Sequence, residues 1–356
     1  MIEVKNLVKR YGDHVAVNHL NFTVEEGQIY GFLGPNGAGK STTMNMITGY
    51  LAATEGEVII NGHNILDDPE EAKKCIGYLP EMPPVYMDMT VLEYLKFVAE
   101  LKKIPKDKVK KQLMEVMSLV KITDMQNRLI RNLSKGYRQR VGLAQAVIGY
   151  PPIIILDEPT VGLDPKQIIE IRELIKSLGK KHTVILSSHI LSEVSAVCDY
   201  VMIISKGELV ASDTPENLGK LMIGSNTVKC TVKGSRGAVI SALNQIPEIK
   251  NVKYEDAEEK GCLRLVITTD KSKDIREPLF YKMAAASCPI LALSSSTMSL
   301  EDVFLELTDD SGKAARKLKK EMKKQTDEKE QDLAVTQEET AKTDSSQNEE
   351  EGGTKK

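Results

Sequence analysis

The stretch GPNGAGKST constrains this chain more than any other, because it fixes a loop, the elements on both sides of it and the ligand class that it suits. It satisfies the pattern G-x-x-x-x-G-K-[ST] and lies between an apolar run of strand length and a helical pattern, as phosphate-binding loops do. Glycines let successive backbone N–H groups point at an anion. The loop comprises Gly34, Pro35, Asn36, Gly37, Ala38, Gly39, Lys40, Ser41 and Thr42.

Two side chains of this loop carry specific expectations. Lys40 is placed to neutralise the β- and γ-phosphates of a nucleotide, and the Ser41 hydroxyl is placed to ligate Mg²⁺. A chance glycine-rich turn is the alternative interpretation, and the strand and helix on either side disfavour it. We therefore expect a nucleotide site that includes Mg²⁺.

The segment IIILDEP supplies the second half of such a site. An apolar strand ends in Asp157, which we expect to hold the Mg²⁺ shell, and the adjacent Glu158 can polarise an attacking water as a general base. Two carboxylates at a strand end could merely cap a helix. Beside a phosphate loop, the pair indicates hydrolysis.

The first 220 residues alternate between strand-length apolar runs and helical patterns. QIYGFLG, PPIIILDEP and HTVILSS are typical of buried strands in a mainly parallel sheet. One helix is predicted to start with Asp164 as its cap and Pro165 in its first turn. Its apolar face is expected to carry Ile168, Ile171, Ile175 and Leu178. This alternation predicts an α/β fold.

Between Pro80 and Ile130 only helical patterns occur, around Thr90–Leu101 and Lys106–Val120. This change predicts an all-helical insertion within the sheet domain, and we place the helical subdomain at about 82–149. Because the insertion around Met82–Arg131 departs from the alternating strand and helix pattern on both sides of it, it is the expected surface for a partner protein.

A second domain is expected at 225–308, with the element order β-α-β-β-α-β of a small ferredoxin-like fold. Alternating Val228, Cys230 and Val232 predict its first strand, and helical spacing over Val239–Ile246 predicts its first helix. NVKYE and LRLVITT follow as strands, then a helix near Ser272–Ala284 and a strand near Ile290–Ser295. A last helix has Leu300, Val303, Phe304 and Leu307 on one face, with Ser299 and Asp302 placed as a capping box.

Residues 309–356 nearly lack apolar side chains, so we expect a disordered charged tail. An acidic stretch follows a basic block, and weak attraction of that block to anionic lipid headgroups is the alternative to a purely solvated tail. The basic block comprises Lys313, Arg316, Lys317, Lys319, Lys320, Lys323 and Lys324.

Composition limits the other possibilities. A chain of 356 residues with 41% hydrophobic and 28% charged residues can form more than one core. Its net charge of −3 gives no global basic field, which argues against a dedicated nucleic-acid binder. The five cysteines show no CxxC spacing, which favours a reducing cytosol. Neither a signal peptide nor a membrane-spanning segment is predicted.

In order along the chain, GPNGAGKST, LSKGYRQR, LDEPTVGLD and SSHI make residues 1 to about 220 resemble the ATP-binding cassette (ABC) ATPases. The resemblance implies a P-loop NTPase core with an antiparallel β subdomain and a helical subdomain, using ATP and Mg²⁺. It also implies that the signature, here Leu133–Tyr137, faces the nucleotide of a second subunit. Ser134 and the Gly136 N–H would then bind a γ-phosphate in trans.

Four further positions take roles from the same resemblance. Tyr11 matches the aromatic that stacks on adenine, where simple packing is the alternative. His189 matches the switch histidine that contacts the γ-phosphate and orients the water. Asp164 matches an aspartate that communicates across the dimer and would also cap its helix. Glu81 stands where the family usually has glutamine, and its carboxylate could reach Mg²⁺ or its water.

The signature departs from LSGGQ by having Lys135 and Tyr137, while its serine and second glycine are retained. Together with LPE, the second domain and SLEDVFLELT, it is similar to the ATPase subunits of ABC-2-type exporters. The implied function is an ATPase that forms a homodimer, or a heterodimer with a second cassette. It would drive a separate integral-membrane permease from the cytoplasmic face of the membrane.

Two other function classes remain open. A soluble ABC ATPase acting on ribosomes, DNA or cluster assembly is disfavoured by the single phosphate loop and signature and by the lack of a sustained heptad pattern. A non-catalytic regulatory module is disfavoured because Lys40, Asp157, Glu158 and His189 are all present. The transported molecule, and export rather than import, rest on the resemblance alone.

Overall fold

We analysed a computed structural model of the chain. It describes residues 1–221, 227–256, 259, 261–269, 274–296 and 304. The chain divides after Thr308, and every residue of the second unit, Asp309–Lys356, lies outside the described ranges. Within those ranges, no helix has both the length and the apolar character needed to span a bilayer.

Residues 1–221 form two sheets and the helices around them. In chain order the elements are β1 (Ile2–Tyr11), β2 (His14–Val24), β3 (Ile29–Leu33), α1 (Lys40–Ile47), β4 (Glu55–Ile60), β5 (His63–Asn64), α2 (Pro69–Lys74), β6 (Ile76–Leu79), α3 (Val91–Leu101), α4 (Lys106–Leu119), α5 (Lys135–Val147), β7 (Ile153–Asp157), α6 (Pro165–Gly179), β8 (Thr183–Ser188), α7 (Leu191–Val197), β9 (Tyr200–Ser205), β10 (Glu208–Asp213) and α8 (Pro215–Leu221).

The central sheet has the strand order β10-β9-β3-β8-β7-β6, and only β10 is antiparallel to its neighbour. Every residue of β3, β7 and β8 is buried, because both faces of this sheet are covered. The three apolar runs predicted as strands are these three. Parallel alignment places their carboxyl ends, with the loops that follow them, at one edge.

The antiparallel sheet has the order β2-β1-β4-β5 and shares a hydrophobic core with the central sheet. Met44 and Ile47 of α1 lie in that core together with Leu20 of β2 and Ile155 of β7. Helix α1 is therefore held from two sides, which fixes the position of the phosphate loop at its start.

The predicted helical insertion is present as α3 and α4, with short 3-10 turns at Thr123–Met125 and Ile130–Asn132. Between residues 80 and 130, all of which are described, the only strand-like pairing is an isolated bridge from Thr90 to Leu129. Thr90 and Glu93 form a capping box at the start of α3.

The region predicted as a second domain, 225–308, has the predicted order of elements among its described residues: β11 (Thr227–Lys233), α9 (Arg236–Leu243), β12 (Ile249–Asp256), β13 (Cys262–Thr269), α10 (Arg276–Ala285) and β14 (Ile290–Ser296). Its antiparallel sheet has the order β12-β13-β11-β14, which is the ferredoxin-like arrangement. Val228, Cys230 and Val232 point into its core. Two predicted boundaries differ, since α9 ends before Ile246 and α10 begins only at Arg276.

The predicted last helix and the predicted tail could not be compared with the structure. The capping box at Ser299 and Asp302 and the face at Leu300, Val303 and Leu307 lie outside the described residues, whereas Phe304 is described and helical. The basic block and the acidic stretch of residues 309–356 also lie outside them.

Candidate functional site

The phosphate loop runs from the end of β3 to the start of α1. Gly37 and Gly39 have φ of 79° and 100°, in the left-handed region that glycine tolerates. A Cβ atom on Gly39 would lie 2.5 Å from the backbone oxygen of Ala16, so this position requires glycine for space as well. The pattern of the motif thus follows from backbone geometry.

Lys40 is the first residue of α1 and is only 6% exposed. Its Nζ donates to the backbone oxygen of Gly34 at 2.8 Å and to that of Pro35 at 3.3 Å. It also lies 3.6 Å from Glu158 Oε1. The ammonium group is therefore held over the loop, where it can meet phosphate oxygens.

Asp157 ends β7 and is 3% exposed. Its Oδ1 accepts a hydrogen bond from Ser41 Oγ at 3.3 Å and another from the Ser187 hydroxyl. A carboxylate beside a hydroxyl is a set of hard oxygen donors. This set fits Mg²⁺, which proteins usually hold through one or two carboxylates together with substrate phosphates.

Glu158 follows Asp157 and has φ of 48°, an unusual value for a residue with a side chain. Such a conformation costs about 1–3 kcal/mol and persists only when its surroundings hold it. The Glu158 amide donates to Ser187 Oγ at 3.0 Å and lies 3.2 Å from the Ser187 carbonyl oxygen. Two hydrogen bonds from β8 therefore fix the peptide that carries this carboxylate.

The Glu158 carboxylate is in contact with the predicted switch histidine. Its Oε2 lies 3.0 Å from Nδ1 of His189, which follows β8 and has a side chain that is 40% exposed. A carboxylate at this distance orients the imidazole, and the buried oxygen beside it can accept a proton from water. The geometry suits a general base with an adjacent orienting group.

An open cleft with a volume of about 510 Å³ joins these groups, within the size range of small-molecule sites. It brings together Tyr11, most of the phosphate loop, Glu81, Glu158 and His189. Tyr11 is 51% exposed, which leaves its ring accessible for stacking. The lining also includes His14, Ala16 and Val161, which the sequence did not single out.

Seven predicted positions are not part of this lining. Four of them lie in or beside the phosphate loop, namely Gly34, Pro35, Ala38 and the buried Asp157, whose Oδ1 accepts from Ser41 of the lining. The other three are Ser134, Gly136 and Asp164. Ser134 is exposed and caps α5 by accepting from the Tyr137 N–H at 3.3 Å. Gly136 is buried. Asp164 caps α6 by accepting from the Gln167 N–H at 2.9 Å. The roles of these residues toward a second subunit stay predictions.

Sequence reasoning also missed buried residues that do not line the cleft but hydrogen-bond to the segment containing Asp157, Glu158 and Thr160. Ser187 bonds both Asp157 and Glu158, and the buried Glu193 on α7 accepts a hydrogen bond from Thr160. The available signal for Ser187 was its place at a strand end beside the predicted switch residue. Glu193 gave no such signal, because one acid in a short helix looks like a solvated side chain.

Fold and site together define a P-loop ATPase, and comparison with known proteins gives its family. The family described as ABC transporter matches residues 17–161. The linearmycin resistance ATP-binding protein LnrL of Bacillus subtilis is 31% identical over 309 residues, covering 86% of this chain and 98% of that protein. The bacitracin transport ATP-binding protein BcrA of Bacillus licheniformis is 41% identical over 222 residues, covering 62% and 72%.

Solved structures agree. An ATP-binding subunit of an ABC transporter aligns with a TM-score of 0.58 at 30% identity, covering 62% of this chain and 92% of that one. A dimeric cassette in a post-hydrolysis state, bound to ADP and Pi, aligns with a TM-score of 0.55 at 28% identity, covering 60% and 98%. The chain belongs to the ATP-binding proteins of ABC transporters.

Proposed function

We propose that this chain is the ATP-hydrolysing subunit of an ABC-2-type exporter. Two cassettes would close head to tail around two ATP molecules and drive a separate integral-membrane permease from the cytoplasmic face. One observation carries this proposal: the cleft joins Tyr11, the phosphate loop, Glu81, Glu158 and His189, while the exposed helix start at Ser134 is outside it. Each copy would then contribute half of one site through its cleft and half of the other site through the helix start at Ser134.

The residues of the cleft divide the chemistry among them. Tyr11 stacks on the adenine, and Lys40 with the N–H groups of its loop holds the β- and γ-phosphates. Ser41 and Asp157 would hold Mg²⁺, and Glu81 is a further candidate ligand for the ion or its water; the ion would supply positive charge beside the phosphates. Glu158 takes the proton of the attacking water, and His189 holds that carboxylate and contacts the γ-phosphate.

The second cassette completes the site. Ser134 and the Gly136 N–H would bind the γ-phosphate held on the partner's loop, at the positive end of the α5 macrodipole. ATP then stabilises the closed pair, and cleavage to ADP and phosphate removes the shared ligand. Asp164, near the start of α6, would report closure across the interface.

The surface after Glu81 supports a protein partner for the helical region. Met82, Tyr86 and Met87 are 84%, 53% and 41% exposed, an unusual concentration of large apolar side chains within six residues. The Tyr86 ring packs edge-on against Tyr94 and Phe97, which gives the patch a fixed shape. We assign this surface to the permease. The linearmycin resistance and bacitracin transport functions named for the relatives support export.

The decisive experiment uses Glu158→Gln. Hydrolysis should slow by roughly 100- to 10,000-fold, the usual share of a general base. The variant should run as a dimer in light scattering with saturating ATP and Mg²⁺, and as a monomer with ADP. A monomer under saturating ATP would overturn the proposed closure.

A second variant tests whether the dimer uses the signature. At protein concentrations too low for dimerisation, Glu158→Gln combined with Ser134→Arg should bind fluorescent ATP analogues as tightly as Glu158→Gln alone, because Ser134 lies outside the cleft of its own chain. It should fail to dimerise, since the arginine side chain would occupy the shared face.

The membrane partner is tested by co-purification, where substitution of Met82 and Met87 by serine should release the permease and leave the ATP affinity unchanged.

A further inference from the structure

Glu193 is a buried acid with no place in the chemistry described so far. It lies on α7, is 5% exposed and is not part of the nucleotide cleft. Its Oε2 accepts hydrogen bonds from Thr160 Oγ1 at 2.5 Å and from Ser188 Oγ at 3.2 Å. Its Oε1 lies 3.9 Å from Nη2 of Arg172, a cation that offsets the buried charge.

The two hydroxyls belong to the two chain segments that carry the water-activating pair: the loop after β7, and the end of β8 that leads into the loop with His189. Thr160 lies two residues after Glu158, and Ser188 immediately precedes His189. Ser188 Oγ also accepts from the Ile190 N–H at 3.0 Å, so the backbone on both sides of the histidine is tied down. One carboxylate oxygen thus bridges the loops whose side chains meet 3.0 Å apart at Glu158 and His189.

The helix that carries Glu193 is itself firmly placed. It packs against β3 so closely that a Cβ atom on Gly31 would lie 2.2 Å from Cγ1 of Val194. Strand β3 leads directly into the phosphate loop. Glu193 therefore connects the two hydrolytic loops to the element that positions the phosphates.

The left-handed backbone at Glu158 needs support on both sides. Ser187 holds its amide, and the Val161 N–H closes a turn onto the Glu158 carbonyl oxygen at 3.2 Å. Thr160 lies inside this turn, and its hydroxyl is fixed by Glu193. Desolvation offsets much of what a buried ion pair adds to stability, whereas a satisfied buried network fixes geometry.

We propose that Glu193 is a positioning residue for ATP hydrolysis. Through its hydrogen bonds to Thr160 and Ser188, it holds the side chains of Glu158 and His189 in fixed positions relative to each other. The inference rests on the hydrolytic roles proposed above for those two residues. Glu193 would touch neither nucleotide nor water. Its loss should affect the hydrolytic step and leave nucleotide binding intact.

The test compares Glu193→Gln, Thr160→Val and Thr160→Ser in the full-length chain. The first two should lower kcat by roughly 10- to 100-fold, the cost of small misplacements of catalytic groups. Thr160→Ser keeps the hydroxyl and should retain most of the wild-type kcat. The ATP KM and the affinity for a fluorescent ATP analogue should stay within about twofold of the wild-type values, because small shifts of Glu158 and His189 do not move the phosphate loop. Ser195→Ala is the matched control on α7, because that hydroxyl bonds only the Leu191 carbonyl oxygen of its own helix.

Combination with Glu158→Gln separates positioning from a general structural effect. Adding Glu193→Gln should slow single-turnover hydrolysis much less in Glu158→Gln than in the wild-type chain, because one of the two groups that Glu193 positions is already disabled. If the two reductions multiply, or if KM rises with an unchanged kcat, the positioning role is wrong. If Glu158→Gln alone hydrolyses ATP at the wild-type rate, the proposed function itself fails. Should Glu193→Gln not fold, the contrast between Thr160→Val and Thr160→Ser decides.

Discussion

The starts of α1 and α5 are two helix N-termini suited to phosphate, but they are built differently. The start of α1 has glycine as its cap, no side chain that occupies its N–H groups, and a buried lysine as its first residue. The start of α5 is exposed, and the hydroxyl of its cap, Ser134, already accepts from the third helical N–H. The first can surround an anion within one chain, whereas the second offers only one side of a site.

The difference between the two helix starts indicates how a nucleotide pocket can be divided between two surfaces. The α1 end is fixed by a core shared between two sheets and by contacts of Lys40 with Glu158 and of Ser41 with Asp157 at the end of β7. The α5 end belongs to the helical segment and has no acidic residue in its first turn. An anion bound only at α5 would remain open to solvent, which supports the proposal that a second cassette completes the site.

The largest effect is expected where the first helix start loses its cation. Lys40→Ala removes a buried ammonium, and charge-assisted hydrogen bonds contribute about 1.5–3 kcal/mol each. We expect fluorescent ATP binding to weaken by at least roughly 10- to 100-fold and turnover to fall with it. Lys180→Ala, an exposed lysine after α6, is the control. Wild-type affinity in Lys40→Ala would show that the cleft is not the phosphate site.

Local pattern predicted the α1 side of this comparison well. The strands β3, β7 and β8 were recognisable because parallel strands covered on both faces are continuously apolar, as at Ile153–Asp157. The start of α6 was recognisable from the cap at Asp164. The ferredoxin-like domain followed from the order of its elements. These features depend on residues that are close in sequence.

Contacts across the sheet were not predictable in the same way. Ser187 meets Asp157 because β8 lies beside β7, and Glu193 meets Thr160 because α7 lies beside the loop after β7. A single sequence does not encode that strand order in any local pattern. Hydroxyl side chains at strand ends and one acid on a seven-residue helix therefore look ordinary until the fold places them together.

The second prediction moves to the start of α5. Ser134→Ala should reduce steady-state hydrolysis by roughly 10-fold, the value of one hydrogen bond to a charged group. ATP affinity of the isolated chain should not change, because Ser134 is outside its own cleft. Ser134→Thr keeps both the hydroxyl and the cap and serves as the rescue. Equal losses of affinity in Ser134→Ala and Lys40→Ala would remove the distinction between the two helix starts.

The opposite end of α5 gives the third prediction. Lys102 Nζ donates to the carbonyl oxygens of Gln145 at 3.0 Å and Ala146 at 3.3 Å, which the helix end leaves without intrahelical partners. Lys102→Met should lower the free energy of unfolding by about 2 kcal/mol, since these acceptors lose their donor. Thermal and denaturant unfolding measure the loss. Lys103→Met, at the next position, is the control.

The pH dependence of that loss has a defined sign. Burial lowers the pKa of Lys102 to about 8, whereas an unfolded lysine titrates near pH 10.4. Between these values the unfolded chain binds more protons than the folded chain, so stability rises with pH. The difference between wild type and Lys102→Met should widen from pH 8 to pH 10. A narrowing would mean that the helix carbonyls favour the charged lysine more than burial opposes it.

The smallest effect is expected at the start of α3, which is far simpler than either phosphate-binding helix start. Thr90 Oγ1 accepts from the Glu93 N–H at 3.3 Å, and Glu93 Oε2 accepts from the Thr90 N–H at 2.8 Å. Thr90→Ala should destabilise the chain by about 1 kcal/mol, as helix-cap losses do. Hydrolysis per folded molecule should not change, because this helix start binds its own backbone and no ligand.

Glu93 makes this last case testable by pH as well. Backbone and side-chain hydrogen bonds from Thr90 lower the pKa of Glu93. The stabilisation is therefore complete above the unfolded value of about 4.3 and is lost as pH falls through the lower folded pKa. The difference in unfolding free energy between wild type and Glu93→Gln should shrink on acidification through this window. If this difference stays constant with pH, the hydrogen bonds from Thr90 do not stabilise the ionised Glu93. If Thr90→Ala also slows hydrolysis, the cap at α3 is coupled to the nucleotide site, and the distinction between ligand-binding and self-capped helix starts is wrong.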